Sequence, residues 1–441
     1  MTASETRASE EQAIAAFRAY VADLPVPDRD PAPRHVPGRR GPIAGMWLVA
    51  AAVALVAGLA AVVPALLPPR PPVASTEGAA TLPDRIAKYT WLTSYAERSP
   101  PGRAILAYRQ GASVESGDFP QIVVLSADGD VYRRVRTAEQ RGGLEGDTAR
   151  VSLSPDGTLL AIGDYDSPPT LAILDLVSGK VEDFPAPRSE GVVDPLAWSP
   201  DGRSVWVSVP GEVGSAGGQR VARFDLDTGR MTLSDTATPD RPGGASVSPD
   251  GRWVLAGWDR GGATVLDART LAEVATWDGG LYPAPSLWSP DGLRVIAPRG
   301  HTILSYRVRK TADGVPRIDR RPETITKLGE FRVEPLGWSS PTTLVYGHNF
   351  NTGGYPMSIR SLDVVSQKVT TLSRVQRSWT GAAILGGSLA ADLADGLRIR
   401  PAGPPDRGPR KALLLGSLAL GASVLVWWRR RRTRRPAGGG G

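Results

Sequence analysis

Between residues 87 and 401 short apolar runs alternate with polar turns at a steady beat, and on either side a long uncharged stretch interrupts that rhythm. Val151-Ser152-Leu153 and Leu196-Ala197-Trp198 alternate with the period of a half-buried strand, and Leu159-Leu160-Ala161-Ile162 is a continuous run of β-formers. Between such runs stands the tetrapeptide Ser-Pro-Asp-Gly, at Ser154–Gly157, Ser199–Gly202, Ser248–Gly251 and Ser289–Gly292. Its spacing of roughly 40 to 50 residues is that of propeller blades. Pro pre-sets the second position of a type I turn, Asp tolerates the third, and Gly ends it. Each copy predicts strand, turn, strand. Ser99-Pro100-Pro101-Gly102 and Trp338-Ser339-Ser340-Pro341 are degenerate copies, each leading into a strand-like run.

Further along each unit a strand ends in an acid and a turn: ILDLVSGK at Asp175, RFDLDTGR at Asp225, VLDARTL at Asp267, SLDVVSQK at Asp363. Acids in this position predict side chains bonded to the backbone of their own turns rather than metal ligands. An outer strand such as VEDFPAP or EVATWD then completes a four-stranded blade. The expected fold is therefore all-β, a propeller of six or seven four-stranded blades. Six units are legible from 99 to 375; residues 378–401 predict three more strands, and AKYTWLTSY at 87–95 supplies a fourth. Seven blades are favoured, because that pairing closes the ring and removes its open edge. It also predicts that residues 87 and 401 lie side by side.

The two interruptions have the length and composition of membrane spans. Residues 43–63 carry no charge, and a helix of that length crosses roughly 30 Å of hydrocarbon. The polar segment before it, 1–42, is far longer than the leader of a cleaved signal peptide, which predicts an uncleaved anchor. Residues 412–428 form a second, shorter span, with Trp427 and Trp428 at its edge and arginines beyond it able to snorkel. No LPxTG-type pentapeptide precedes it, against a sortase signal. Arg29, Arg34, Arg39 and Arg40 before the first span, and the arginine-rich tail 429–441, put both termini in the cytoplasm and the middle outside. The expected order is cytoplasmic segment 1–42, helix 43–63, Pro-rich linker 64–86, propeller 87–401, linker 402–411, helix 412–428 and basic tail.

Composition agrees with turns and short strands: 50 Gly, 40 Pro and 6% aromatics. The net charge of +7 is concentrated in Arg429–Arg432, Arg434 and Arg435, so no basic face for nucleic acid is expected. The absence of Cys removes disulfides, thiolate metal sites and a cysteine nucleophile. Only His35, His301 and His348 are available, no GxSxG elbow occurs, and the Gly-rich stretches lack the strand-to-helix setting of a phosphate loop. No cofactor, metal or catalytic constellation is predicted. A propeller enzyme using a carboxylate pair ranks third among the readings.

In the cytoplasmic segment, Ser9 and Gln12 form a capping box before an apolar stripe of Ile14, Phe17, Val21 and Leu24 that ends at Pro25. This helix, 9–24, lies on the membrane, stays disordered, or docks into a cytoplasmic partner.

The Trp-Ser-Pro-Asp-Gly turns at Trp198 and Trp288 resemble those of TolB-type and WD-repeat propellers over residues 87–401. The repeating Gly-His of WD repeats is missing, and Trp258-Asp259 and Trp277-Asp278 share no common position, so TolB-like is the closer label. The Ala, Arg and Pro bias with paired spans is similar to membrane propellers of actinobacteria. A short cytoplasmic helix, a span and an external domain resemble the layout of membrane anti-sigma factors, without the His and Cys zinc pattern of many of them. The resemblance implies a scaffold that binds an envelope protein, peptide or glycan, with the lipid bilayer as its integral setting. The alternative it implies is a transmembrane regulator whose helix 9–24 holds a cytoplasmic protein such as a sigma factor.

Overall fold

A computed structural model describes residues 79–409 except 89, 91, 112–119, 144–146, 188–190, 211–218, 239–241, 259–261, 278–287, 313, 329–332, 350–356 and 377–382. All belong to one compact unit, Pro71–Gly441. Both expected spans and the 9–24 helix lie outside the described residues. Among the described residues no helix is long and apolar enough to cross a membrane.

The chain enters through β1 (Thr81–Pro83) and β2 (Arg85–Ile86) and then builds blade one from β3 (Ala104–Gly111), β4 (Gln121–Ser126) and β5 (Tyr132–Arg134). A short helix, α1 (Arg136–Gln140), leads to blade two: β6 (Val151–Leu153), β7 (Leu159–Ile162), β8 (Thr170–Asp175) and β9 (Val181–Pro185). Blade three is β10 (Asp194–Trp198), β11 (Ser204–Pro210), β12 (Gln219–Asp225) and β13 (Arg230–Thr238). Blade four is β14 (Pro242–Val247), β15 (Trp253–Trp258), β16 (Ala263–Asp267) and β17 (Glu273–Trp277). In blade five the inner edge is a single bridge from Trp288 to Val295, followed by β18 (Arg294–Arg299), β19 (Thr302–Lys310) and an outer strand split into β20 (Pro316–Ile318) and β21 (Thr324–Lys327). Blade six is β22 (Val333–Trp338), β23 (Thr343–His348), β24 (Ser358–Asp363) and β25 (Val369–Val375). Then come β26 (Ala383–Leu389), α2 (Ala391–Ala394) and β27 (Arg398–Arg400).

The blades number six, not the favoured seven. Residues 378–401 give one propeller strand, not three: β26 runs antiparallel to β3 as the innermost strand of blade one, Leu389 opposite Leu106. The Ser99–Gly102 turn therefore precedes a second strand whose first strand comes from the far end of the chain. Residues 87–95 do not close a blade. Instead β2 lies parallel on the outer edge of β25, and Tyr95 bridges Arg134 at the outer edge of β5. The expected juxtaposition of the chain ends is met by other means, with β1 and β27 paired in parallel and Thr81 aligned with Arg398.

Among the described residues six apolar clusters occupy the six blade interfaces. Leu336, Val345 and Ile359 of blade six meet Ile105, Tyr108 and Leu125 of blade one, and Leu82 and Ile86 of the entering segment join them. Each such side chain, taken from water, contributes about 1.5–3 kcal/mol. No blade buries both faces alone, so the ring is the smallest stable unit.

The turn chemistry is local and repeated. In blade two the Ser154 hydroxyl donates to Asp156 (2.6 Å) and accepts from Leu159 N–H (2.9 Å), while Gly157 N–H donates to Ser154 C=O (3.0 Å). Ser199, Ser248 and Ser289 make the same donation to Asp201, Asp250 and Asp291. Partial burial works against the charge of Asp156, but hydrogen bonds from Ser154 and Thr158 outweigh it and lower its pKa.

Gly157 shows why the last residue is glycine: its φ is +73°, and an added Cβ would stand 2.2 Å from the carbonyl oxygen of Ala104 in blade one. Gly251 has a similar φ of +68° but open space around it. Gly251→Ala is therefore expected to cost about 1–2 kcal/mol through backbone strain alone. Gly157→Ala, which also forces two blades apart, is expected to cost more than about 3 kcal/mol. Urea titration followed by tryptophan fluorescence checks the difference, and equal losses would refute the interface role of Gly157.

Candidate functional site: a funnel at the turn face

In blades two to six the turn from first to second strand and the turn from third to fourth open on one face, and in blade one the turn from third to fourth does so. The loops of the other face fall largely outside the described residues. At the turn face the six inner strands converge on a cavity of about 540 Å³. The last residue of each inner strand lines it: Leu153, Trp198, Trp288, Trp338 and Leu389, with Val247 in the sixth position. Outside this ring stand Pro155, Pro200, Pro249, Pro290 and Pro341, one from each of five turns. Blade one has no such turn, since its inner strand ends the ring, and α2 takes the place. Asp392 N–H donates to Pro155 C=O (2.9 Å), which buries Pro155 and leaves the other four prolines exposed.

The indoles act as wedges between blades. Trp198, Trp288 and Trp338 are only 5–7% exposed. Trp198 Nε1–H donates to Ser152 C=O of the neighbouring blade (2.9 Å), and Trp288 N–H donates to Ser246 Oγ (3.0 Å). What the funnel offers a ligand is thus a rigid apolar ring of prolines and strand ends.

Asp392 and Asp395, from α2 and its end, line the cavity; the exposed turn acids Asp156, Asp201, Asp250 and Asp291 follow its prolines, with Lys310 3.9 Å from Asp250 and Arg294 3.5 Å from Asp291. Hydrogen bonding to Ser199 holds Asp201 below the usual carboxylate range. Asp392 is shifted the other way, raised by burial and by the nearby Asp156 charge. The site is an apolar floor with the carboxylates of Asp392 and Asp395 at one side, complementary to an apolar group carrying positive charge.

The acids that end the third strands stand apart from this site. Asp175 accepts from Val177 N–H (2.7 Å) and Ser178 N–H (3.0 Å), and Asp225, Asp267 and Asp363 bond their own turns in the same way. This is the expected turn role. Among the described residues no group of three or more His, Asp or Glu is placed to hold a metal. His301 sits exposed between β18 and β19 and His348 is buried at the end of β23, so neither reaches the funnel; His35 lies outside the described residues. Ile14, Phe17, Val21 and Leu24 also lie outside them. The sequence marks Trp198 and Trp288 as members of the repeated turn, not as site residues, and it gives no sign of Asp392 and Asp395, whose segment carries the alternation of a strand.

The topology defines the class: a six-bladed β-propeller closed by β26, from the far end of the chain, against β3. No protein-family model and no curated protein matches the chain. Solved structures do resemble it at low identity. TolB from Acinetobacter baumannii is 16% identical with a TM-score of 0.43, over 65% of this chain and 66% of that one. A chain of the mitotic checkpoint complex is 16% identical with a TM-score of 0.38, over 52% and 65%. Hydrazine synthase of Kuenenia stuttgartiensis is 16% identical with a TM-score of 0.34, over 51% and 65%. The chain thus spans just under two thirds of each of these structures.

His348 gives a pH signature to the opposite end of blade six. Burial, then the Arg360 charge, lowers its pKa from 6.5 to about 4. The unfolded chain takes up this proton first, so stability is expected to fall as pH drops from 6.5 toward 4. In His348→Gln that part of the pH dependence should vanish in thermal melts across this range, and an unchanged slope would exclude His348 as its source.

Proposed function

We propose that this chain is a membrane-anchored, extracytoplasmic propeller that acts as a non-catalytic binding module and takes a protein or peptide segment into its funnel. The observation that carries the reading is the funnel itself, an apolar ring on a turn scaffold with the carboxylates of Asp392 and Asp395 in its lining. The turn carboxylates are tied up by serine hydroxyls and backbone N–H groups, an arrangement suited to holding charge in place rather than moving protons. The favoured ligand is an apolar side chain flanked by Lys or Arg. Anchoring rests on the apolar segments 43–63 and 412–428, and the paired chain ends at β1 and β27 fit tethers that leave one seam.

Two measurements test this. Purified full chain is titrated with synthetic peptides bearing a Leu or Phe between lysines, or between glutamates. Preference for the cationic series, weakened about tenfold by Asp392→Lys with Asp395→Lys, is expected. No preference, or indifference to the substitutions, would remove the funnel as the binding site. For topology, a reporter active only outside the cytoplasm is fused after residue 409. It should be active there and silent at residue 1; the reverse would overturn the orientation.

A further inference from the structure

Outer strands of propeller blades face solvent, and here their charge depends on the blade. β9 of blade two carries Glu182 and Asp183 and no cation, and β17 of blade four carries Glu273 alone. In blades five and six and at the seam the sign reverses. β20, β21, β25, β2 and β27 carry Arg317, Lys327, Arg374, Arg85, Arg398 and Arg400 and not one acid.

Two strand pairings sharpen this. Arg309 stands directly opposite Arg317, and Arg85 lies beside Arg374. Like charges in such positions destabilise a sheet. Among the described residues one carboxylate stands in ion-pair reach of each pair, Asp319 at 3.1 Å from Arg309 and Asp84 at 3.6 Å from Arg85, so one guanidinium of each is left without such a partner there.

Exposed apolar side chains occur on the same outer strands, Ile325 (55%), Val369 (40%) and Ile399 (42%), as Val177 (41%) and Val274 (37%) do on blades two and four, but only here do they stand with cations alone. Basic side chains interleaved with exposed aliphatic ones are the composition of a surface that meets lipid headgroups. Position agrees: Asp84 ties Arg374 of blade six to Arg400 of the seam, through Arg374 N–H to Asp84 C=O (2.9 Å) and Asp84 N–H to Arg400 C=O (2.8 Å). Past that seam the chain runs along the outer edge of blade one, where Asp406 bridges Val131, and its described part ends at Pro409, three residues before the apolar segment 412–428.

We propose that the outer edges of blades five and six, with the seam, form a docking surface for anionic phospholipid headgroups of the bilayer that anchors the chain, so that the propeller stands edge-on to the membrane. This rests on the anchoring proposed above. Arg317 and Arg374 are the central contacts, each relieving its crowded pair by binding a headgroup phosphate, while Ile325 and Val369 enter the interface between them.

The lack of cysteine makes the test clean, since one introduced thiol carries one spin label. Full chain with Ile325→Cys, Val369→Cys, Val177→Cys or Val274→Cys is placed in nanodiscs of phosphatidylcholine, with or without phosphatidylglycerol. Relaxation by nickel-chelating headgroups reports proximity. With phosphatidylglycerol present, the labels at 325 and 369 should relax at least about threefold faster than those at 177 and 274. The gap should close in Arg317→Glu with Arg374→Glu, and in molar salt, where the screening length drops to ~3 Å. Equal relaxation at all four sites in lipid-bound protein would overturn the docking surface alone. A gap that is the same without phosphatidylglycerol would overturn recognition of anionic lipid. A chain that fails to enter nanodiscs would overturn the anchoring, and this proposal with it.

Discussion

The pairing of β26 with β3 is the interaction on which the rest of the molecule depends. A blade buries its faces only against neighbours, so a row of six becomes stable when the last meets the first, and β26 makes that meeting covalently continuous. It does so through the inner edge: Leu153 N–H donates to Ser388 Oγ in β26 (3.3 Å), and Gly387 N–H donates to Glu334 Oε1 of blade six (3.2 Å). Added Cβ atoms at Gly386 and Gly387 would stand 2.8 Å from Glu334 Oε1 and 3.1 Å from the carbonyl oxygen of Ala107, so this strand has to be slim where it enters. The entropy of closing so long a loop grows only about 0.6 kcal/mol per doubling of length. Joining Leu389 to Leu106 rather than to a strand about 15 residues away is roughly four doublings, about 2.5 kcal/mol, which burial of one or two core side chains offsets.

The outer edge of the same seam is sealed by further strands from the chain ends. β2 covers β25, and Asp406 lies against Val131 beside β5. Arg133 grips Asp406 at 3.1 Å, Arg400 reaches Asp130 at 2.8 Å, and Arg407 bonds the Lys88 carbonyl and stacks over Tyr132. The edges that would otherwise template a foreign strand at the seam are thus occupied by the protein's own termini. Ring closure and edge protection are done by the same residues.

This division explains what was legible in the sequence. The Ser-Pro-Asp-Gly turns and the Asp175 and Asp225 turns are settled within six residues by their own hydrogen bonds, so strand, turn and outer strand could be placed directly. Blade count is a matter of long-range pairing, which no local pattern encodes. Of the three strands expected within 378–401 one propeller strand forms, at 383–389, and nothing near it says that the partner is Leu106 rather than a following strand. Residues 391–394 continue the same alternation, yet form a helical turn because that end of the ring has no second strand to reach, and there Asp392 and Asp395 come to line the funnel. Trp198 was legible for the opposite reason, being fixed by the turn that follows it.

Chain direction at the seam also constrains how such a ring can be tethered. β1 and β27 run parallel, so the chain enters beside Arg398 and leaves beside Ser94, whose N–H bonds Arg407 C=O at 2.8 Å. Two parallel segments shed their outer ends at opposite ends of the pair. From Pro409 to residue 412 the chain can span roughly 10 Å at most, whereas residues 64–78 can reach roughly 50 Å. In the anchoring proposed above, a bilayer-embedded 412–428 would hold the seam close to the membrane through the short link from Pro409. A propeller so held by its edge would open its turn-face funnel sideways, where a ligand fixed in the same membrane or extending from it would have direct access.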